Sequence, residues 1–315
     1  MALLTKVTLP NGALFNQSQA FLGADSLFTT GTVLFVNSVT GSNDNSGTDP
    51  STPKATVQGA ISAATASKGD KIVCMVGHAE TVTATSINLS KAGVTVICLG
   101  HGLERPTFTY GAAAATITVS AANCAFLGGH HIGNFDNILS AFTLGASKNF
   151  SLIGNTFVDN TAALHFMSIV ITNATDNDSD GLTIVDNKWY GLALAPDAAI
   201  SILAAELHLT VTDNFVDMGA TNDVGHFITF AAKITKGTQI LRNILIVTGA
   251  TGATVGVFMT GSGTTHTGVV ADNYAASLDA TTELFSTAAL TFYLFNNRYT
   301  GAVTGQGYLL PAIDA

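Results

Sequence analysis

The chain has 315 residues and a formal net charge of −9, and only 10% of its residues are charged. Helical proteins need more charged side chains than this on their surfaces, whereas a sheet-rich protein can cover itself with Thr, Ser, Asn and Gly. The mean hydropathy is +0.39, yet no stretch approaches the roughly 18 consecutive apolar residues of a membrane-spanning helix. No Lys or Arg cluster could follow a nucleic-acid backbone. We therefore expect neither a membrane nor a nucleic-acid partner.

Residues 1–33 are predicted to form an extended segment that docks onto a neighbouring subunit. Their start, "MALLTKVTLPNG", places Lys6 inside a short apolar stretch that is followed by Pro10. It lacks the basic start, long apolar run and small-residue cleavage site of a secretory signal. We expect a chain that is made in a host cytoplasm and stays there or is released by lysis.

One amphipathic helix is predicted in "PSTPKATVQGAISAATASKGD". Thr52 is its predicted N-cap, Pro53 suits its first turn, and Lys68 and Gly69 mark its end. Its apolar face consists of Val57, Ala60, Ile61 and Ala64. The first turn of a solenoid would expose its core and its unpaired strand edges, so this helix is predicted to cap that turn.

Residues 34–82 contain a strand, the loop and helix "GSNDNSGTDPSTPKATVQGAI", and a further strand. This arrangement resembles the opening module of right-handed parallel β-helix proteins. "GHAETV" at Gly77 to Val82 and "AGVTVICLGHGLERPTF" at Ala92 to Phe108 are similar in particular to β-helix proteins of tailed bacteriophages. The resemblance covers about residues 34 to 110. The same module occurs in lyases, hydrolases, surface proteins and virion proteins, so it indicates fold more specifically than function.

An Asn then returns along the chain at the end of short, β-branched apolar runs that are predicted to be strands. Asn134 and Asn297 are the first and last of the set, and 163 residues divided by six intervals gives about 27, a typical solenoid turn. Equivalent positions of a parallel coil stack about 4.8 Å apart, so each amide can bond to the copy above it. We predict a structural ladder of Asn134, Asn155, Asn187, Asn214, Asn243, Asn273 and Asn297.

The predicted fold is all-β, a right-handed parallel β-helix (β-solenoid) with a short N-terminal capping helix. Residues 34–70 are predicted to hold the first strand, loop and cap helix, and residues 71–300 the β-helix. Residues 301–315 are predicted to be a C-terminal cap or arm.

Cys74, Cys98 and Cys124 are an odd number without the spacing of a metal site, which disfavours both a disulfide framework and a zinc site. Each lies in an apolar run, and the intervals between them are 24 and 26 residues. We predict one inward stack of buried thiols.

Carboxylates that could cleave a glycan must come in pairs. Asp186, Asp213 and Asp272 each precede a ladder Asn, so they could stack on one face. Arg242 holds the equivalent position between Asp213 and Asp272, which favours a charge-compensated row. We predict no catalytic residue and no cofactor.

Asp176, Asp178 and Asp180 alternate in "DNDSDG" like the start of an EF-hand loop. The twelfth position of that loop would be Asn187, where a bidentate Glu is needed. The three Asp residues are therefore only a weak calcium candidate, and no metal site is predicted.

His78, His101, His130 and His131 do not predict a shared metal site. Two adjacent residues of a strand point to opposite faces, so the rings of His130 and His131 are expected to diverge.

The resemblance implies a structural protein of a phage particle. We expect a homotrimeric capsid decoration, or cement, protein on the virion exterior, bound to the major capsid protein or another virion protein, and we expect no enzyme. The alternative is a tailspike-type β-helix that binds or cleaves a host-surface glycan as a polysaccharide lyase or hydrolase; a binding module without catalysis is a third. Four Glu and one Trp are a small supply for glycan chemistry. Under the alternative, Asp186, Asp213 and Glu206 are the first acids to test.

Overall fold

The computed structural model describes residues 6–8, 14–16, 29–192, 198–219, 226–231, 235–247, 258–261, 266–277, 292–300 and 307–309. Over these ranges the chain coils so that successive turns add strands to three sheets, which are parallel except for one terminal strand. The predicted fold class, an all-β parallel β-helix with a short N-terminal helix, is confirmed. In the described ranges no helix has the length and apolarity needed to cross a bilayer.

Sheet 1 orders its strands as the chain does, so each turn of the coil lies on the preceding one. Its strands are β3 (Val33–Val36), β4 (Lys71–Cys74), β7 (Thr95–Cys98), β10 (Ala125–Leu127), β13 (Ser151–Ile153), β16 (Thr183–Val185), β19 (Thr210–Thr212), β22 (Thr238–Leu241), β25 (Gly268–Ala271) and β27 (Tyr293–Phe295).

Sheet 2 follows sheet 1 after a short bend in most turns, and sheet 3 completes the turn. The strands of sheet 2 are β5 (Ala79–Val82), β8 (Thr107–Tyr110), β11 (His130–Gly133), β14 (Thr156–Asp159), β17 (Lys188–Tyr190), β20 (Phe215–Asp217), β23 (Ile244–Val247), β26 (Tyr274–Ser277), β28 (Asn297–Thr300) and β29 (Gly307–Leu309). The strands of sheet 3 are β6 (Ile87–Leu89), β9 (Ile117–Val119), β12 (Phe142–Leu144), β15 (Val170–Thr172), β18 (Ala198–Ile202), β21 (His226–Phe230) and β24 (Met259–Gly261).

The core is built from stacked side chains, because the register of neighbouring strands stays in step. Phe126 of β10 pairs with Val96 on one side and with Leu152 on the other. The strands are short and alternate between buried and more exposed residues, as expected when one face of each sheet faces the interior. The Phe126 ring contacts that of Phe108 at 5.4 Å and that of Phe142 at 5.3 Å. Burying each such ring contributes about 2 kcal/mol.

The predicted cap helix is α1 (Val57–Ala63), which is shorter than the sequence indicated. Thr56, not Thr52, is the N-cap, and its hydroxyl accepts a hydrogen bond from the Gly59 N–H at 3.0 Å. The segment before it is extended instead of helical, because Lys54 bridges in parallel to Val36 of β3. The predicted apolar face is buried, and the helix packs against β3, β4 and β6.

Both ends of the chain carry antiparallel pairs of strands. Near the N-terminus, β1 (Lys6–Thr8) pairs with β2 (Leu14–Asn16). The remainder of the predicted docking segment up to residue 28 lies outside the described residues. In the predicted C-terminal cap or arm, β29 lies antiparallel on β28 at the end of sheet 2.

The three cysteines do not form the predicted single stack. Cys74 of β4 and Cys98 of β7 are register partners. Cys124 directly precedes Ala125, which pairs with Thr95, so Cys124 lies level with Val94 instead. The intervals of 24 and 26 residues look similar, but the loops between strands differ in length, and equal spacing does not place all three thiols in one column.

Candidate functional site

A column of buried side-chain amides runs along the bend between sheets 1 and 2. Each amide nitrogen donates to the oxygen of the next Asn at 2.9 to 3.0 Å. The backbone N–H groups of the first five donate to those same oxygens. All six side chains are buried, so the hydrogen bonds are protected from water. We call this column the asparagine ladder: Asn155, Asn187, Asn214, Asn243, Asn273 and Asn297.

The residue before each ladder Asn adopts the left-handed backbone conformation that this bend requires. Its φ is +66° at Gly154, +53° at Asp186, +60° at Asp213 and +54° at Arg242. Asp and Asn enter this region more readily than most residues, and Gly enters it without a penalty. The bend therefore restricts which residues can precede each ladder Asn.

Asn134 lies outside the ladder, contrary to the prediction. It is exposed after β11, and its Oδ1 accepts a hydrogen bond from Asn160 at 2.7 Å. The bend of that turn holds Gly129, whose N–H donates to Asn155 Oδ1 at 2.8 Å. A side chain at Gly129 would meet the His131 ring, because a Cβ there would lie 2.7 Å from Nε2. The ladder thus starts one turn later than predicted.

Some of the residues that precede the ladder Asn residues bind one another from turn to turn. Arg242 donates to both carboxylate oxygens of Asp213 at 2.7 Å each. The Arg242 guanidinium lowers the pKa of Asp213, and Asp213 in turn raises the pKa of Arg242. Asn296 donates to Asp272. As predicted from the sequence, Asp213 binds Arg242 instead of forming an acid pair with Asp272.

An acid-rich corner lies on the opposite side of the coil, where loops 173–182 and 203–209 stack between sheets 3 and 1. The carboxylates of Asp176 and Asp180 accept backbone N–H groups of the next turn at 3.1 and 2.8 Å. Asp178 accepts from an Asn side chain of its own loop at 2.7 Å. Within the part of the chain that the structure describes, no three His, Cys, Asp or Glu side chains group closely enough to hold a metal ion. Asp176 and Asp180 thus bond to the next turn and Asp178 bonds within its own loop, which corrects the calcium candidate.

Glu206 is the unusual group of this corner, and only 1% of its surface is exposed. One oxygen, Oε2, accepts the Ser179 N–H at 3.0 Å, while Oε1 finds no hydrogen-bond partner among the described residues. Burial raises the pKa of Glu206 to about 7, and the charges of Asp180 and Asp178 add to this effect. Its carboxyl therefore changes charge near neutral pH. Glu206 was predicted to matter only under the glycan alternative. No local sequence pattern reveals that the side chain of a loop Glu points inward.

The rings of His130 and His131 point to opposite faces of β11, as expected from their adjacency. His131 is fully buried and stacks between Phe108 and Phe157, with ring centroids 5.3 and 4.7 Å away. Burial lowers the pKa of His131 to about 3, so it is neutral at physiological pH. In the first turn, His78 Nε2 lies 3.2 Å from Glu80 Oε2. His78 and His131 are thus buried in different turns, whereas His130 lies on the outward face of β11.

The outward side of sheet 2 changes character along the coil. In its first two strands the outward residues are Ala79, Thr81, Thr107 and Thr109. From β11 to β26 most outward side chains are apolar, and Tyr190 and Ile244 remain 44% and 37% exposed. Polar residues lie among them: His130, Thr156, Lys188 and Asp217. The rings of Tyr190 and Phe215 lie 5.7 Å apart. We call this patch the apolar outer face: Ile132, Val158, Tyr190, Phe215, Ile244, Ile246 and Tyr274.

The chain matches no protein-family model and no curated protein. Two solved structures are similar to it in fold. One is named rhamnogalacturonan lyase, with 13% identity, a TM-score of 0.43, and coverage of 86% of this chain and 74% of that one. The other is a GH136 lacto-N-biosidase from Eubacterium ramulus, with 10% identity, a TM-score of 0.26, and coverage of 90% and 69%.

These neighbours correct one expectation, that the chain is not an enzyme. By their names, one is a lyase and the other a lacto-N-biosidase, so the exclusion of catalysis does not hold. At these identities and TM-scores the likeness assigns no activity to this chain.

Proposed function

We propose that the chain is a structural protein of a tailed-phage particle, which assembles as a homotrimer and decorates the exterior of the head. Its partners are other copies of itself and the major capsid protein or another virion protein. The resemblance of residues 34 to 110 to phage β-helix proteins supports this role. The observation that carries it is the apolar outer face on a rigid, laddered coil, because exposed apolar patches of this kind mark protein-binding surfaces.

The occupant of the apolar outer face is a second copy of the chain. Lys188 lies at the edge of this face next to the ladder bend, and Asp217 lies at the opposite edge, one strand further along. In a closed cyclic assembly one edge of each copy faces the other edge of the next copy. Lys188 of one copy then faces Asp217 of the next with an offset of one strand, about 4.8 Å. The charges at the two edges of the face are therefore complementary.

Sedimentation equilibrium of the full chain tests self-association. The expected mass is that of three 32.3 kDa chains, and Ile244→Asp is expected to shift the mass toward the monomer. Thr109→Asp is the matched control, because Thr109 holds an outward position of sheet 2 before the apolar outer face begins. A monomeric wild-type chain would contradict the trimer.

Electron cryomicroscopy of particles of the phage that encodes the chain tests its location. Threefold density spread over the capsid is the expected result, and the N-terminal segment is then the first region to truncate. Density at the tail tip would contradict head decoration and favour the glycan alternative.

A second candidate function is glycan cleavage at the acid-rich corner. The observation that favours it is Glu206, whose pKa of about 7 suits a proton donor, beside the carboxylates of Asp178 and Asp180. Only 1% of the Glu206 surface is exposed, so this function requires loops 173–182 and 203–209 to part and admit the glycan. Release of reducing ends from a panel of host-surface polysaccharides tests it, with Glu206→Gln as the inactive variant. Equal release by both proteins, or none by either, would contradict this candidate.

A further inference from the structure

Two cysteines face each other across the first turns of sheet 1. Cys74 is the last residue of β4 and Cys98 the last residue of β7, and the parallel register makes them direct partners. Neighbouring strands lie about 4.8 Å apart. Cα atoms of disulfide-bonded cysteines are usually about 4.4 to 6.8 Å apart. The backbone therefore already holds the two residues at a bridging distance.

The two side chains differ in exposure. Cys74 is fully buried in the core, whereas Cys98 is partly buried and packs against that core. A hydrogen bond with the Cys98 side chain, together with burial, raises the pKa of Cys74 well above its usual value. Cys98 is the one that a small reagent can reach.

A fixed positive charge lies near Cys98. The Arg105 guanidinium is held by the carbonyls of Gly128 and Gly154, at 2.7 and 2.9 Å, and by the Thr156 hydroxyl at 2.8 Å. Burial lowers the pKa of Arg105, and interaction with the charge of Cys98 acts in the opposite direction. The thiolate is the form of a cysteine that attacks oxidants.

We propose that Cys74 and Cys98 are an oxidative cross-linking site, at which a peroxide joins the first two turns of the coil. The Cys98 thiolate attacks the O–O bond of hydrogen peroxide, which gives a sulfenic acid and, after proton transfer, one water. The Cys74 sulfur, losing its proton, then attacks the Cys98 sulfur and releases the second water. Two thiols and one peroxide thus yield one disulfide and two waters, and the two electrons pass from sulfur to oxygen.

The bond encloses one whole turn of the coil beside the cap helix. Positions 74 and 98 are 24 residues apart, and closing a loop of this length restricts the unfolded chain. Reversible oxidation is expected to raise the Tm by roughly 3 to 6 °C. This inference rests on the register of β4 and β7 and is independent of the proposed phage role.

The test treats the folded full-length protein with hydrogen peroxide, blocks the remaining thiols with iodoacetamide under denaturing conditions, and maps peptides by mass spectrometry. The expected product is a peptide pair linked through Cys74 and Cys98 that is 2 Da lighter than the sum of the two thiol peptides, with Cys124 alkylated. Reduction should remove the link and the gain in Tm.

Cys124→Ser is the matched control, since Cys124 lies level with Val94 and should leave the link unchanged. Cys98→Ala should abolish both the link and the gain in Tm. The wild-type map alone already decides the question if a variant fails to fold. Full alkylation of Cys74 and Cys98 after peroxide treatment, or a link that includes Cys124, would overturn the proposal.

Discussion

Asn187 donates two hydrogen bonds to one atom of Asn214: its side-chain Nδ2 and its backbone N–H both lie 3.0 Å from Asn214 Oδ1. Asn214 donates the equivalent pair of hydrogen bonds to Asn243 Oδ1. Each turn is thereby held to the next through one amide. Removal of the Asn214 side chain leaves both Asn187 donors without their acceptor, while Asn243 Oδ1 keeps only the bond from the backbone N–H of residue 214.

Asn214→Ala is therefore expected to destabilise the protein by about 2 to 4 kcal/mol, the cost of leaving several buried polar groups unpaired. Urea unfolding followed by circular dichroism measures this. Asn134→Ala is the matched control, since Asn134 is exposed outside the ladder, and its cost should stay below about 0.5 kcal/mol. Equal unfolding midpoints for the two variants would show that the ladder adds no stability.

Glu206→Gln should change how stability depends on pH. The folded pKa of Glu206, about 7, is raised above its ordinary 4.5. The stabilisation that follows from this raised pKa is therefore fully present below pH 4.5. It is lost as the pH rises to 7, by at most about 3 kcal/mol of unfolding free energy. Gln keeps the shape and carries no charge, so the variant should be about 1 to 3 kcal/mol more stable than the wild type at pH 8.

Thermal unfolding at pH 5 and pH 8 tests this expectation. Asp136→Asn serves as the control, because Asp136 is an exposed acid in a loop between sheets 2 and 3. If wild type and Glu206→Gln lost stability equally between the two values, the buried carboxyl would not be the cause.

His131→Phe should reduce the sensitivity of the protein to acid. The pKa of His131 is lowered from 6.5 to about 3. The neutral ring supports the fold above pH 6.5, and this support is lost as the pH falls from 6.5 towards 3. Between pH 7 and 4.5 the wild type should lose about 2 to 3 kcal/mol that the variant keeps.

Urea midpoints over that pH range provide the measurement for His131→Phe. His101→Gln is the control, since His101 is exposed, and its pH profile should follow the wild type. A His131→Phe profile as steep as that of the wild type would mean that other groups govern acid unfolding.

Substitutions at Arg242 test whether the bend requires a left-handed backbone conformation. Its φ is +54°, where Ala pays about 1 kcal/mol and Gly pays nothing. Both Arg242→Gly and Arg242→Ala lose the exposed ion pair with Asp213, so this loss cancels in the comparison. Arg242→Gly should therefore be about 1 kcal/mol more stable than Arg242→Ala.

The opposite order is expected within a strand. Gln239 is an exposed residue of β22, and there Gly should be about 0.5 to 1 kcal/mol less stable than Ala. Thermal unfolding of the four variants shows whether the order reverses. The same order at both positions would contradict the role assigned to the bend.

The sequence predicts the coil and most of the ladder because both repeat. From Asn155 onward every ladder Asn follows an apolar strand by a fixed short distance, so a single strand pattern locates the whole column. Asn134 also follows a strand, but that strand is β11 of sheet 2 instead of one of sheet 1. Periodicity alone cannot distinguish the two bends. At the first bend of that turn, Gly129 leaves room for the His131 ring.

Glu206 and the cysteine pair depend on contacts between turns that no local pattern records. Glu206 is buried because its loop stacks on loop 173–182, and the loop lengths differ from turn to turn. Cys98 meets Cys74, whereas Cys124 does not, because one strand register decides which residues are level. The apolar outer face was missed for a related reason. Its members come from strands far apart in the chain and share only an outward direction.

The asparagine ladder also has a direction. In each of the five bonds between ladder amides, the donor nitrogen belongs to the earlier turn and the acceptor oxygen to the later one. A turn inserted or deleted within it preserves the column only if it carries its own Asn at the bend, and the ladder intervals are 32, 27, 29, 30 and 24 residues. Insertions and deletions that preserve the ladder must therefore add or remove whole turns.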